Sequence, residues 1–141
     1  MPGPLKLVTA TPQPGCWNDE HLLAVEDFMA DLATGSRFDQ LGVIVREHLA
    51  TGGKRLRARL ALATVQALGS ERERGIPWAA AAELLHNATL VHDDIQDGDP
   101  MRRGRPAVWA AHGVNQAINV GDLLLMLPYR AVDQVDVEPG V

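Results

Sequence analysis

Asp93, Asp94, Asp97 and Asp99 place four carboxylates within seven positions of the stretch LVHDDIQDGDPMRRG, and Arg102, Arg103 and Gly104 follow at once. The residues before them read as a helix, so Asp93 and Asp97, four apart, project from one face within reach of each other. Asp94 lies about a quarter-turn round. Like charges at that spacing destabilise a helix by roughly 0.2–0.5 kcal/mol. Carboxylates in a last turn also face the negative end of the helix dipole, at about 0.3–1 kcal/mol each. Helix design would put lysine or arginine here, and local rules are broken mostly at functional sites. A hard divalent cation relieves the repulsion. Mg2+ takes oxygen ligands, keeps several waters and is usually held by one or two carboxylates together with substrate phosphate oxygens. The double arginine suits the same ligand, because a guanidinium grips phosphate through paired hydrogen bonds.

A second basic group lies upstream. Lys54, Arg55, Arg57 and Arg59 supply four cations in six residues behind Gly52-Gly53, where the missing side chains let backbone approach a ligand closely. On its own, GGKRLR reads best as a helix start with surface basics. Combined with the aspartates and a divalent cation, it indicates a polyphosphate substrate. The bland alternative is a solvated acidic face. The position of the tetrad, at the end of an apolar helix and leading into two arginines, weighs against it.

Helices must position these groups. Residues 1–17 hold four of the nine prolines and read as a flexible arm, with residues 18–141 as one domain. Asn18 can cap a first helix reaching about Ala33, with Asp19 and Glu20 in its first turn. A second is predicted from about Phe38 to Ala50, with Leu41, Ile44, Val45 and Leu49 on one face and Thr51-Gly52-Gly53 as its stop. The third starts in the basic group and is apolar from Leu60 through Leu68. SERERG reads as a charged connector, and Pro77 opens a long alanine-rich helix that Gly98 and Pro100 end. RPAVWAAHG predicts a short helix or turn, and a last helix starts near Val114 until Pro128 interrupts or kinks it. No period-two strand pattern occurs, so the fold class is all-α.

Bulk properties agree. Hydrophobic residues make up 46% and charged residues 22%, as in soluble globular domains, while aromatics at 4% disfavour sheet. A net charge of −5 gives no reason to expect a nucleic-acid partner. Cys16 is the only cysteine, which excludes an internal disulfide and a thiolate metal cluster and fits a reducing cytoplasm. The N-terminus lacks the basic start and continuous apolar core of a signal peptide. Leu123–Leu127 is far too short to span a bilayer and reads as core or subunit contact, so no stable membrane insertion is expected.

Gly52-Gly53-Lys54-Arg55-Leu56-Arg57, Asp93-Asp94-Ile95-Gln96-Asp97 and Arg102-Arg103-Gly104 together resemble the trans-type isoprenyl diphosphate synthases, the polyprenyl synthetase family. That family is marked by G-G-K-R-x-R, a first D-D-x-x-D and R-R-G. ELLHNATLVHDDI, with His86 seven residues before Asp93, matches the approach to the motif, and NVGDLLL is similar to a later G-D-x-L segment. The likeness covers roughly residues 40 to 127. It implies an antiparallel helical bundle of the isoprenoid synthase type, a cytoplasmic homodimer, and a Mg2+-dependent prenyltransferase. In that reaction an allylic diphosphate ionises, the double bond of isopentenyl diphosphate attacks the cation, and a proton is lost, with the released diphosphate as base. By resemblance, Asp93 and Asp97 ligate Mg2+ with Asp94 in support. Arg102 holds the allylic diphosphate, and Lys54, Arg57, His86 and Arg103 hold isopentenyl diphosphate. Product length in the family depends partly on the side chains four and five before the first aspartate. Here they are Thr89 and Ala88, both small, with Leu85 a turn back, which favours geranylgeranyl diphosphate or longer.

Two departures qualify the likeness. Ala58 stands where the family often has proline, and no second D-D-x-x-D follows: beyond residue 105 the acidic residues are Asp122, Asp133, Asp136 and Glu138. The chain thus resembles the N-terminal half of a synthase. One aspartate group holds one side of a metal–diphosphate assembly, so the expectation is weak or no turnover by this chain alone, and self-association through exposed apolar surface. Two other readings remain. One is an HD-type metal-dependent phosphohydrolase using His48 or His86, His92-Asp93 and Asp122; it leaves Asp97, Arg102, Arg103 and Gly52-Gly53 unexplained. The other is a non-catalytic helical partner subunit of a synthase. His112 reads as a helix-end residue, Cys16 as an unactivated thiol, and Trp78 and Trp109 as packing residues.

Overall fold

A computed structural model describes residues 19–34 and 39–135; the predicted arm over 1–17 lies outside them. The described elements run α1 (Asp19–Leu32), α2 (Asp39–Leu49), α3 (Leu56–Ala67), a 3-10 turn (Arg72–Gly75), α4 (Ile76–Asp97), β1 (Met101–Arg102), β2 (Arg105–Pro106), α5 (Val108–His112) and α6 (Val114–Val132). The fold is all-α apart from the two-residue strands.

The long helix α4 is the centre. Ala79, Ala80, Leu84, Ala88 and Val91 are buried along it, and its alanines let neighbouring helices come close. Its most extensive partner is α6, which buries Ala117, Val120, Leu124, Leu127 and Ala131. The last turns of α4 meet the middle of α6, where His92 Nε2 is 3.7 Å from Asp122 Oδ1. Val25, Met29 and Leu32 of α1 and Ile44, Val45 and Leu49 of α2 complete the same core. Fully burying residues such as Met29, Leu84, Leu124 and Leu127 stabilises the fold by about 1.5–3 kcal/mol each.

Several expectations change. Pro128 does not interrupt α6, which continues to Val132. Proline lacks the N–H that would bond one turn back, and the helix tolerates that single loss because its flanking residues Leu127 and Ala131 stay buried. SERERG contains a 3-10 turn. In α3 only Ala58 and Leu62 are buried, while Leu60, inside the apolar run, is 67% exposed. Trp78 is 52% exposed instead of packed. Trp109 does pack against the core, and its Nε1 donates to the Asp99 carbonyl at 2.8 Å.

Candidate active site

The end of α4 divides the aspartates by direction. Asp93 and Asp97 are exposed and make no hydrogen bond or ion pair among the described residues. Asp94, one residue on from Asp93, points inward and is 1% exposed. Arg102 Nε donates to its Oδ1 at 3.0 Å and Oδ2 at 2.8 Å, and Nη2 donates to Oδ1 at 2.6 Å. This paired, charge-assisted contact holds the Arg102 guanidinium above its usual pKa. Part of the repulsion inside the motif is therefore relieved by the chain's own arginine. The Asp94 backbone ties the helix end as well, since its carbonyl accepts from Asp99 N at 3.0 Å beneath the left-handed cap Gly98 (φ 70°).

From there the chain turns back as a ribbon that periodicity could not announce. Met101 pairs with Pro106 and Arg102 with Arg105, leaving Arg103-Gly104 as a two-residue turn with φ 52° and 77°. Positive φ at both turn positions is what a type I′ hairpin demands, and Gly104 meets it without strain. Arg103 adopts it at a cost of roughly 1–2 kcal/mol. The return is placement. Its guanidinium lies over Gly53, where an added Cβ would stand 2.9 Å from Nη2, and Nη1 is 3.4 Å from Thr51 Oγ1. Gly53 thus admits an arginine of the protein itself.

The start of α3 forms the other wall. Arg55 precedes it with φ 48°, and α3 has no side-chain cap from its own residues. Glu83 of α4 supplies one: Oε1 accepts from the backbone N–H of Arg57 at 3.1 Å and of Ala58 at 3.0 Å. Arg55 is buried and engaged, donating from Nε to Glu26 Oε1 at 2.8 Å and from Nη2 to the Leu49 carbonyl at 2.9 Å. Between these walls lies a cavity of about 430 Å³ lined by Gly53, Lys54, Arg55, Leu56, Arg57, Glu83, His86 and Arg103. Lys54, Arg57, His86 and Arg103, selected from the sequence, converge there. Burial, then the nearby Arg57, pushes the His86 imidazole below its usual pKa. Burial, then Arg55 and Arg102, does the same to Arg103. Burial leads both shifts, and the neighbouring cations add to it. Arg102 does not line this cavity; it borders a second one of about 290 Å³ with His48, Arg105 and His112.

Sequence reasoning missed Glu83. In an alanine-rich helix a lone glutamate looks like a surface residue, and its partners lie 25 and 26 residues away. His48 is buried between α2 and α4, with its pKa lowered to about 4, chiefly by burial and then by Arg103. His92 turns onto α6, beside Asp122 and 3.5 Å from the Ile118 carbonyl. The set an HD-type hydrolase needs is not gathered: among the described residues no three His, Cys, Asp or Glu side chains converge as a metal cage. His112, the last residue of α5, faces Glu47 at 3.5 Å.

The sequence model of the polyprenyl synthetase family matches residues 39–140. The chain belongs to that family. It is 38% identical over 115 residues to a geranylgeranyl diphosphate synthase of Methanosarcina mazei, covering 82% of this chain and 36% of that protein. It is 42% identical over 97 residues to a short chain isoprenyl diphosphate synthase of Methanocaldococcus jannaschii, covering 69% and 30%. The crystal structure of geranylgeranyl pyrophosphate synthetase from Pyrococcus horikoshii superposes with a TM-score of 0.79 at 38% identity, over 85% of this chain and 37% of that one. This polyprenyl synthetase chain spans about a third of the length of the curated relatives named here.

Asp93 and Asp97 suit the metal that this family's chemistry implies. Two open carboxylates, four apart on one helix face and without a hydrogen bond or ion pair among the described residues, fit a partial oxygen set of the kind that Mg2+ would complete with water and substrate phosphate. A closed structural site would need more protein ligands.

Proposed function

We propose that this chain carries diphosphate-binding machinery for a prenyltransferase that condenses isopentenyl diphosphate with an allylic diphosphate to give a longer polyprenyl diphosphate. The observation that carries this reading is the convergence of Lys54, Arg57, His86 and Arg103 on one cavity beside the helix that presents Asp93 and Asp97. In that cavity Lys54, Arg57 and Arg103 hold isopentenyl diphosphate by charge and hydrogen bonds. His86, whose pKa is pushed down by burial and then by Arg57, adds a hydrogen-bonding ring beside the cations. Asp93 and Asp97 hold Mg2+, with Asp94 supporting through Arg102. When bound, Mg2+ neutralises charge on the departing diphosphate. Arg102 has Nε and Nη2 committed to Asp94, while Nη1 is free of hydrogen bonds among the described residues and serves the allylic diphosphate.

Product length follows the face of α4. Thr89, small and exposed, and Leu85, half exposed, share the face of Asp93, whereas Ala88 is fully buried in the core. Thr89 and Leu85 therefore stand open on the face of Asp93, with the small Ala88 behind them in the core. Together with the relatives' names this favours geranylgeranyl diphosphate or longer. A cytoplasmic homodimer completes the proposal, supported by the absence of any described helix long and apolar enough to cross a membrane and by exposed apolar residues on α3, α4 and α6. Calorimetry with isopentenyl diphosphate and Mg2+ tests the reading. Binding should weaken by about tenfold or more in Lys54→Ala and Arg103→Ala, as for the loss of a charge-assisted contact. Equal affinity in parent and both variants would sink it.

A further inference from the structure

We infer that Glu83 is a positioning residue whose buried carboxylate caps α3 and thereby fixes the diphosphate cavity, a role that rests on the function proposed above. Glu83 is 3% exposed, so its charge stays in the interior only because partners satisfy it. Those partners are the two backbone N–H groups at the start of α3, at 3.1 and 3.0 Å, and Arg55, whose Nη1 is 3.9 Å from Oε2. A helix leaves its first N–H groups without internal acceptors. Here the residue in the capping position is Arg55, whose side chain has no oxygen to offer and which sits at φ 48°.

The consequence reaches the ligand. One of the capped amides belongs to Arg57, and Lys54 lies three residues before it, so the cap sets where both side chains enter the cavity. Glu83 and His86 lie three apart on α4, so the same helix turn presents the cap and the imidazole. Glu83 also supplies the one carboxylate of the cavity wall, against Lys54, Arg55, Arg57 and Arg103. Two contributions of opposite sign result. As an acceptor, Glu83 organises the site and raises affinity for a diphosphate. As a charge, it opposes the anion and lowers that affinity.

The two are separable in the whole chain. Glu83→Gln keeps an acceptor oxygen and removes the charge, whereas Glu83→Ala removes both. The probes are inorganic diphosphate, and isopentenyl diphosphate with Mg2+, measured by calorimetry; amide hydrogen exchange at Arg57 and Ala58 reads the cap. In Glu83→Ala those two amides should lose protection while α4 and α6 keep theirs. Affinity for both probes should fall by about tenfold or more, as expected for a lost buried acceptor. Glu83→Gln should keep both amides protected and bind as tightly as the parent, or up to about tenfold tighter, because a like charge is gone. A purely structural role would lower the melting temperature in both variants and leave affinity in the folded protein unchanged. That result overturns the inference, as does Glu83→Gln with protected amides but weak binding. If Glu83→Ala does not fold, Glu83→Asp takes its place: the shorter side chain draws the acceptor back from the Arg57 and Ala58 amides. Both amides should then lose protection, and both probes should bind at least about tenfold more weakly. Parent-like affinity with exposed amides overturns the inference. A parent chain that binds neither probe overturns the proposed function instead, while fast exchange at Arg57 and Ala58 in Glu83→Ala still upholds the cap.

Discussion

Within one aspartate motif, neighbouring carboxylates contribute to stability with opposite sign. Asp94 is buried and doubly bonded to Arg102, so Asp94→Ala should lower unfolding free energy by about 1–3 kcal/mol in urea titrations. The arginine it leaves, its side chain 24% exposed, can rehydrate in part, which keeps the loss below that of a fully buried pair. Asp93 and Asp97 are unpaired in the last turn of a helix, so Asp93→Ala should leave stability unchanged or raise it by up to about 1 kcal/mol. The same substitution should weaken Mg2+ binding, followed by competition against Mn2+ in electron paramagnetic resonance. His48 gives a pH signature. Its pKa is about 4 in the fold against 6.5 for the free side chain, so the folded protein resists protonation that the unfolded chain accepts. Stability is then highest above pH 6.5 and falls by roughly 3 kcal/mol between pH 6.5 and 4. Chemical denaturation across that range should show the slope, and His48→Phe should flatten it.

At the scale of elements, the Arg103-Gly104 turn is the piece most sensitive to backbone conformation. Gly104→Ala should cost about 1–2 kcal/mol, because a second side chain is forced to φ near 77°. It should also shift the amide resonances of Thr51 and Gly53, which Arg103 touches. This ribbon was invisible beforehand for a physical reason: strands of two residues are too short to show alternation. Helices α1, α2 and α4 were readable because stops and apolar spacing agree, as where Thr51-Gly52-Gly53 follows Leu49 and where Gly98 ends α4. The composition of α3 misled, since Leu60 is apolar yet faces outward. Asp93, Asp97, Lys54, Arg57 and Arg103 could be picked out because charge at unusual spacing is a local signal, whereas His86 stood out only through the family resemblance. Glu83, and the inward turn of Asp94 toward Arg102, depend on contacts between elements and leave no such signal.

For the molecule as a whole, polar and apolar functions share one side of α4. An apolar groove of about 540 Å³, lined by Leu60, Ala61, Thr64, Val65, Trp78 and Ala82, meets the basic cavity at Arg57, which borders both. Exposed apolar surface of this kind associates. Sedimentation velocity should show the chain's mean mass rising with concentration. Leu60→Lys or Trp78→Lys should shift that equilibrium toward monomer, with little cost to folding because both side chains are more than half exposed. An unchanged distribution in both variants would place the contact elsewhere, for example on Met126 and Tyr129 of α6.

Asp94 grips the helix end through its carbonyl and the ribbon through its carboxylate, and the chain between them is only as long as that double grip allows. The segment Gly98 to Met101 therefore works as a calibrated spacer. Surface connections usually accept an inserted residue with little penalty. Here a single insertion would carry Arg102 past its partner and turn Arg103 away from Gly53, so length itself is under constraint. Among natural variants, Asp99, Pro100 and Met101 should change in identity far more freely than in number, while the left-handed position of Gly98 keeps its glycine.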